Sequence, residues 1–361
     1  REKIAAQWSD ADLANANITP DADLRNALFT RYTDQPSDVH SILSTREIED
    51  LEYGHRERIT DTHYQHIAEL PQVLPDLFAK AAKRAELAGF HGAELHYAHA
   101  YTMASFLSAT NSRKDGYGST LEGRLRLPLE VFAATKKSVS NGFALGCRML
   151  SDEVIDGGTR VEESAKIATA FAASGMDFIS LSKGGKFDDA RQPKVGSAAY
   201  PYTGHSGHEC MPTVFIEDPA APGTTGPFGR NLPLAKQIRG EVREAGYETP
   251  IVAAGGINDF ASAEAALRSN ACDFVGSARQ AIADPDWFRK AEQGDGHTIR
   301  RCKLTNYCEA LDERHKQVTC QLWDRNFSVP DPGGDNTADI KLSHDGRRRL
   351  IAPPSFCELD E

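Results

Sequence analysis

The pattern of apolar positions changes character near residue 70 of this chain. Before that point the residues are polar and poor in β-branched runs. Ser9–Ala27 holds four Asp and three Asn and reads as loop. Glu47–Ile59 is highly charged and helix-compatible, with little apolar period. Leu74, Leu77, Phe78, Ala81, Ala82 and Ala85 then recur near helical spacing, which predicts a helix over Leu74–Leu87 stopped by Gly89.

From there strands and helices alternate. Strands are predicted at Ala93–His96, Phe143–Leu150, Asp177–Ser182, Pro250–Ala254 and Cys272–Gly276. Helices are predicted at Leu121–Val139 (despite Pro128), at Val161–Ala173 ending at Gly175, at Leu232–Ala245 ending at Gly246, and at Ala261–Ser269. Continuously apolar strands separated by helices mean a parallel sheet with crossover helices. A doubly wound sheet and a (β/α)8 barrel both produce that pattern. Residues 183–230 form a long Gly/Pro-rich excursion, and the chain beyond Pro285 turns irregular.

Composition narrows the function classes. Lys and Arg number 41 against 52 Asp and Glu, a formal charge of −11, with 40% hydrophobic and 26% charged residues. That is a globular chain, and it lacks the basic footprint of a nucleic-acid binder. No run approaches the ~18 apolar residues that cross a bilayer. Seven scattered Cys do not make a disulfide scaffold, so a reducing, cytoplasmic setting is expected.

The densest chemistry lies at the end of the first strand, in Glu94-Leu-His96-Tyr-Ala-His99-Ala-Tyr101. Ligands of parallel α/β folds sit at the carboxyl ends of strands. Imidazole N–H groups there can donate to a developing oxyanion, and a phenol can deliver a proton. A metal pair or two structural histidines are the alternatives.

The stretch Ala88–Arg126, AGFHGAELHYAHAYTMASFLSATNSRKDGYGSTLEGRLR, resembles the Old Yellow Enzyme family of FMN-dependent oxidoreductases. The likeness continues through Gly146-Cys147-Arg148, Ala253-Ala-Gly255-Gly256-Ile257 and Val275-Gly276-Ser-Ala278-Arg279 to Ala283-Asp-Pro285. It implies an α/β fold, a (β/α)8 TIM barrel, in which these strands are the fourth to the eighth. By the same resemblance His96 and His99 bind the substrate oxygen and Tyr101 is the proton donor. Arg148 would approach the flavin, and Gly255, Gly256, Gly276, Ala278 and Arg279 would cup its phosphate.

The chain departs from the family pattern at several places. Ala100 replaces the Gly before the tyrosine, Ser119-Thr120 replaces a Gly-Ser, and Ala278 replaces a Gly. The family's first three strands are not evident in residues 1–74. They are expected outside this sequence, which begins at Arg1 rather than Met, or on a partner chain completing the barrel.

Cys302, Cys308 and Cys320 fall where larger relatives, similar to 2,4-dienoyl-CoA reductase and trimethylamine dehydrogenase, carry four iron–sulfur ligands. Thr305 stands in the place of the second ligand. The alternatives are an iron–sulfur cluster on a depleted ligand set, zinc with His315 as fourth ligand, or a relic segment of buried thiols; no standard four-Cys cluster is expected. In the long excursion, Lys183 and Lys186 are candidates for an anionic substrate or a pyridine-nucleotide phosphate, and His205 and His208 read as surface.

Three regions follow: a polar segment 1–74, an FMN-binding barrel 75–290, and a Cys-containing tail 291–361. The resemblance implies an NAD(P)H-dependent ene-reductase acting on a small-molecule α,β-unsaturated carbonyl, with no nucleic acid or membrane partner, in a homo-oligomer or completed by a second chain. An iron–sulfur flavin dehydrogenase or demethylase of an amine or CoA thioester is the alternative enzyme. A flavin-free structural or binding subunit is the non-catalytic one.

Overall fold

The structure is a computed structural model that describes residues 57–184, save 100 and 156, and residues 228–302. It also describes 43–44, 46–47, 216–217, 225–226, 304, 307–312, 318–324, 328–329 and 340–341. The positions Ala100, Lys186, His205, His208, Thr305 and His315, and most of residues 1–56, lie outside these. The chain divides into two units, Arg1–Ile67 and Ala68–Glu361. Within the first, Asp61 is buried and pairs with both guanidinium nitrogens of Arg46. These bonds hold the Asp61 carboxyl down at about 2.

The second unit is built on five parallel strands. They are β1 (Gly92–Tyr97), β2 (Ala144–Leu150), β3 (Ile179–Ser182), β4 (Ile251–Ala254) and β5 (Phe274–Gly276). Their order across the sheet is β1-β2-β3-β4-β5. Each strand pairs with its predecessor and the order never reverses. A doubly wound sheet reverses at its switch point, whereas a (β/α)8 barrel adds each strand beside the last, so this sheet is a barrel sector.

The helices before, between and after these strands are α1 (Leu70–Leu87), α2 (Thr102–Leu107), α3 (Leu121–Ser138), α4 (Val161–Ala173), α5 (Leu232–Glu244), α6 (Phe260–Arg268), α7 (Ala278–Ala283) and α8 (Trp287–Glu292). α1 starts four residues before its predicted start because Pro71 sits in its first turn, where the missing N–H costs nothing. Thr120 caps α3 by accepting from the Gly123 N–H at 3.1 Å, and Asp259 caps α6 by accepting from the Ser262 N–H at 2.8 Å.

Five of the described helices stop by one device, α8 among them, where Gly294 has φ 82° and the Asp295 N–H reaches the Lys290 carbonyl. Gly89, Gly175, Gly246 and Asn270 take φ of 86°, 87°, 87° and 55° after α1, α4, α5 and α6. The next residue's N–H reaches back five positions: Phe90 to Ala85, Met176 to Phe171, Tyr247 to Val242 and Ala271 to Ala266. This satisfies the orphan carbonyls of each last turn and, after α1, α4, α5 and α6, aims the chain into the following strand.

The two faces of the sheet differ sharply. On one face the register aligns Leu95, Cys147, Ile179 and Ile251, then Tyr97, Met149, Leu181 and Ala253, all buried. The helices cover this face. The Tyr97 ring meets Phe78 of α1 and Phe171 of α4, and its hydroxyl donates to the Pro128 carbonyl of α3 at 3.0 Å. Each such side chain contributes about 1.5–3 kcal/mol on burial. The other face carries the register row His96, Arg148, Ser180, Val252 and Phe274. That row mixes charge, imidazole and hydroxyl, and it is the concave side of the sector.

Candidate active site

Glu94 and His96 lie on the concave face because side chains alternate along β1 while Leu95 and Tyr97 turn to the helices. After Tyr97 the chain must bend sharply, and it does so at His99, with φ 61°. Few side chains tolerate this left-handed region, and His is among those enriched there, with Asn. The bend brings the His99 ring to 5.1 Å from the His96 ring, centroid to centroid. Tyr101, just before α2, sets its ring 5.4 Å from that of His96 and is exposed.

Both imidazoles are held neutral. Burial lowers the His99 pKa to about 4, with the nearby His96 and the Arg148 charge adding to it. Burial also lowers His96, helped by Arg148 and opposed by Glu94. At neutral pH each ring therefore carries one N–H donor and one acceptor nitrogen. His99 uses Nε2 against the Ser182 hydroxyl at the end of β3, 2.6 Å away.

Arg148 lies one strand over from His96, in register with it. Its Nε donates to Glu94 Oε1 at 2.6 Å and a terminal nitrogen reaches Oε2 at 3.5 Å. Beside it in register is Ser180, whose hydroxyl is buried with no hydrogen-bond partner among the described residues. Lys183 follows Ser182; burial lowers its pKa, opposed by Asp152.

The predicted phosphate residues gather at the ends of β4 and β5. Gly255 and Gly256 follow β4 with φ of 122° and 72°, a conformation that side chains resist. A Cβ at Gly255 would meet nothing closer than 3.5 Å, so the backbone angle rather than space calls for glycine. At Gly276, which ends β5, a Cβ would come to 3.2 Å of the Ala254 Cβ. Ala278 and Arg279 open α7 directly after it.

The site's residues fit a flavin phosphate monoester. Consecutive positive-φ glycines expose backbone N–H groups, Arg279 brings positive charge, and the unpartnered Ser180 hydroxyl awaits an acceptor or donor on the same concave face.

The cysteine tail lies against this cup. The Arg279 charge acts on the thiols of Cys302 and Cys308, which burial pushes up. Gln280 of α7 accepts from the Cys302 N–H at 2.8 Å and donates to the Arg300 carbonyl at 2.9 Å. The structure places Cys302 and Cys308 near each other, and Cys320 is half-buried. Among the described residues no group of three His, Cys, Asp or Glu lies close enough to hold a metal.

The Asn111–Ser119 part of the motif is scaffold. Asn111 Nδ2 donates to the Phe106 and Tyr117 carbonyls, both at 2.8 Å, and the buried Arg113 lies over the Phe106 ring and pairs with Asp115. Ser119 occupies the family's glycine position at φ 64°, and its hydroxyl donates to the Arg113 carbonyl at 2.8 Å. Reading the sequence alone singled out neither the Glu94 pairing nor Ser182. The signal for Ser182 was its place at the carboxyl end of a strand, where pocket residues collect.

Comparison with known proteins agrees with the motif. The model of the NADH:flavin oxidoreductase / NADH oxidase family matches residues 28–215, more than half of the chain. An NADH oxidase of Thermoanaerobacter brockii is 31% identical over 230 residues, 63% of this chain and 30% of the relative. The solved structure of a 2-naphthoyl-CoA reductase with 2-naphthoyl-CoA superposes with TM-score 0.55 at 25% identity, over 70% of this chain and 34% of that one. Histamine dehydrogenase from Rhizobium sp. 4-9 superposes with TM-score 0.53 at 27% identity, over 72% and 35%. The chain thus spans about a third of the length of these relatives.

Proposed function

Because the chain belongs to the NADH:flavin oxidoreductase / NADH oxidase family, we propose that it is an FMN-dependent NAD(P)H oxidoreductase that reduces activated alkenes. The observation that carries this reading is the pair of neutral imidazoles, His96 and His99, at one strand end with the Tyr101 phenol beside them. FMN, when bound, supplies the hydride chemistry that no side chain provides. The net reaction takes NAD(P)H, a proton and an α,β-unsaturated carbonyl to NAD(P)+ and the saturated carbonyl.

The chain's residues bind, polarise and protonate. Each imidazole offers an N–H to the substrate oxygen, and two donors aimed at an oxygen that gains negative charge lower the barrier to hydride arrival at the β-carbon. A charged imidazolium would hold the oxygen as well but would need its own counter-charge in a half-buried site. Tyr101 holds the proton for the α-carbon, the general-acid role that a phenol hydroxyl can serve. Arg148, fixed by Glu94, keeps positive charge on the concave face. Gly255, Gly256, Gly276 and Arg279 would hold the phosphate. An enzyme that is a TIM-barrel sector closes only when further strands pair with the outer edges of β1 and β5.

Stopped-flow kinetics of Tyr101→Phe tests the reading. Flavin reduction by NAD(P)H is expected unchanged, and enone reduction slowed by roughly 10²–10⁴-fold. Equal slowing of both steps, or of neither, would remove Tyr101 from the acid role.

Oxidation of an amine or a CoA thioester is the second reading. It rests on the nearness of Cys302 and Cys308 to Arg279, and it would need an electron exit there that the described residues, with no group of three close enough to hold a metal, do not build. The free thiols of Cys147, Cys272, Cys302 and Cys308 support a reducing, cytoplasmic setting. No helix among the described residues is long and apolar enough to cross a membrane.

A further inference from the structure

We propose that Ser182 is a positioning residue which, by donating its hydroxyl proton to His99 Nε2, fixes the His99 ring and keeps its single proton on Nδ1. The proposal rests on the reading of His96 and His99 as the donors to the substrate oxygen. It assigns a role to a residue 83 positions away from His99 in the chain.

The geometry has three parts. First, the bond is short and side chain to side chain, Nε2 to Oγ 2.6 Å. Secondly, its two ends differ in rigidity. Ser182 is the last residue of β3, paired in register with Leu150 of β2, and its carbonyl accepts from both the Ser151 N–H at 2.7 Å and the Ser151 hydroxyl at 2.8 Å. His99 sits instead on a bend, at φ 61°, where the backbone alone does not hold the ring. The strand end is the anchor and the imidazole is what it anchors. Thirdly, the Ser182 hydroxyl makes no other hydrogen bond among the described residues, so its proton has one acceptor available, the His99 nitrogen.

From this we infer the direction of the bond. A neutral imidazole has one N–H and one lone-pair nitrogen. If Nε2 carried the proton and donated to Ser182, the serine proton would have no acceptor within the described structure. Nδ1 would then present a lone pair, which repels a carbonyl oxygen. With Ser182 donating, both protons are used and His99 keeps an N–H for substrate. An orienting partner that selects the useful tautomer of a histidine is a general device of imidazole sites.

The tautomer is read directly by long-range 1H–15N correlation on the FMN-loaded full chain labelled at histidine. The His99 signals are assigned by their loss in His99→Asn. The wild type is expected to show His99 protonated at Nδ1. Ser182→Ala is expected to lose that preference and to slow enone reduction on the order of 10- to 100-fold, while flavin reduction by NAD(P)H stays unchanged. Ser182→Thr, which keeps the hydroxyl and suits a strand, is expected to restore both. A wild-type proton on Nε2, or an unchanged tautomer in Ser182→Ala, overturns the proposal, and the first of these needs no Ser182 variant to fold. Failure of the wild type to reduce any enone would refute the alkene-reductase reading instead, and the tautomer measurement would still decide the role of Ser182.

Discussion

His99→Asn separates a buried neutral imidazole from an exposed one. The native pKa of His99 is held at about 4, against an ordinary 6.5. A histidine whose native pKa lies below its unfolded one binds its proton more tightly in the unfolded chain. The native state is therefore destabilised as pH falls from about 6.5 toward 4, and the loss levels off below the native value. With one pKa unit worth about 1.36 kcal/mol, the penalty is about 2.5 kcal/mol at pH 4.5 and only about 0.2 kcal/mol at pH 7. Asn is uncharged at both and tolerates positive φ. The stability lost between pH 7 and pH 4.5 should thus be about 2 kcal/mol smaller in the variant than in the wild type. His96, Asp61 and the other shifted groups remain in both proteins, so they largely cancel in the difference. Urea unfolding of the full chain at the two pH values, followed by circular dichroism, measures it. Identical pH dependence in the two proteins would show that His99 is not held neutral by burial, and the donor pair would lose its physical basis.

If Arg279 holds the flavin phosphate as proposed, Arg279→Ala would remove a charged contact worth about 1.5–3 kcal/mol, and FMN should be retained roughly 10- to 150-fold more weakly on dialysis; full retention would place the phosphate away from the start of α7. Iron and acid-labile sulfide assays on anaerobically purified protein are expected to find no standard four-Cys cluster, and about four irons per chain would overturn this and favour the dehydrogenase reading. Tyr97→Phe deletes one buried hydrogen bond to the Pro128 carbonyl and keeps the ring, so denaturant titration should show a loss of about 1 kcal/mol. Tyr97→Ala also removes the contacts with Phe78 and Phe171, and a loss of about 3–5 kcal/mol is expected; equal losses for the two variants would mean that the ring is not packed as described.

Local rules carried the sequence a long way. All five strands stand within two residues of their predicted bounds, since short apolar-rich runs alternating with helical periods mark parallel strands joined by crossover helices. Gly89, Gly175 and Gly246 marked helix ends because positive φ is a local demand that glycine meets at no steric cost. His96, His99 and Tyr101 were legible as a group because a single strand end delivers all three. The tertiary structure alone decided the rest. α2, α7 and α8 have six residues each, too few for an apolar period to declare itself. The repeated helix stop at Asn270 was masked by a residue that serves equally in loops. The order of the strands, which separates a barrel sector from a doubly wound sheet, is written in no single segment. The pairings of Arg148 with Glu94 and of His99 with Ser182 join residues far apart in the chain, and they depend on register. A slip of one residue between β1 and β2 would send Arg148 to the helix face and leave Glu94 without its partner. Composition and periodicity determine which face of a strand is apolar; only the assembled sheet determines which polar groups on the other face meet.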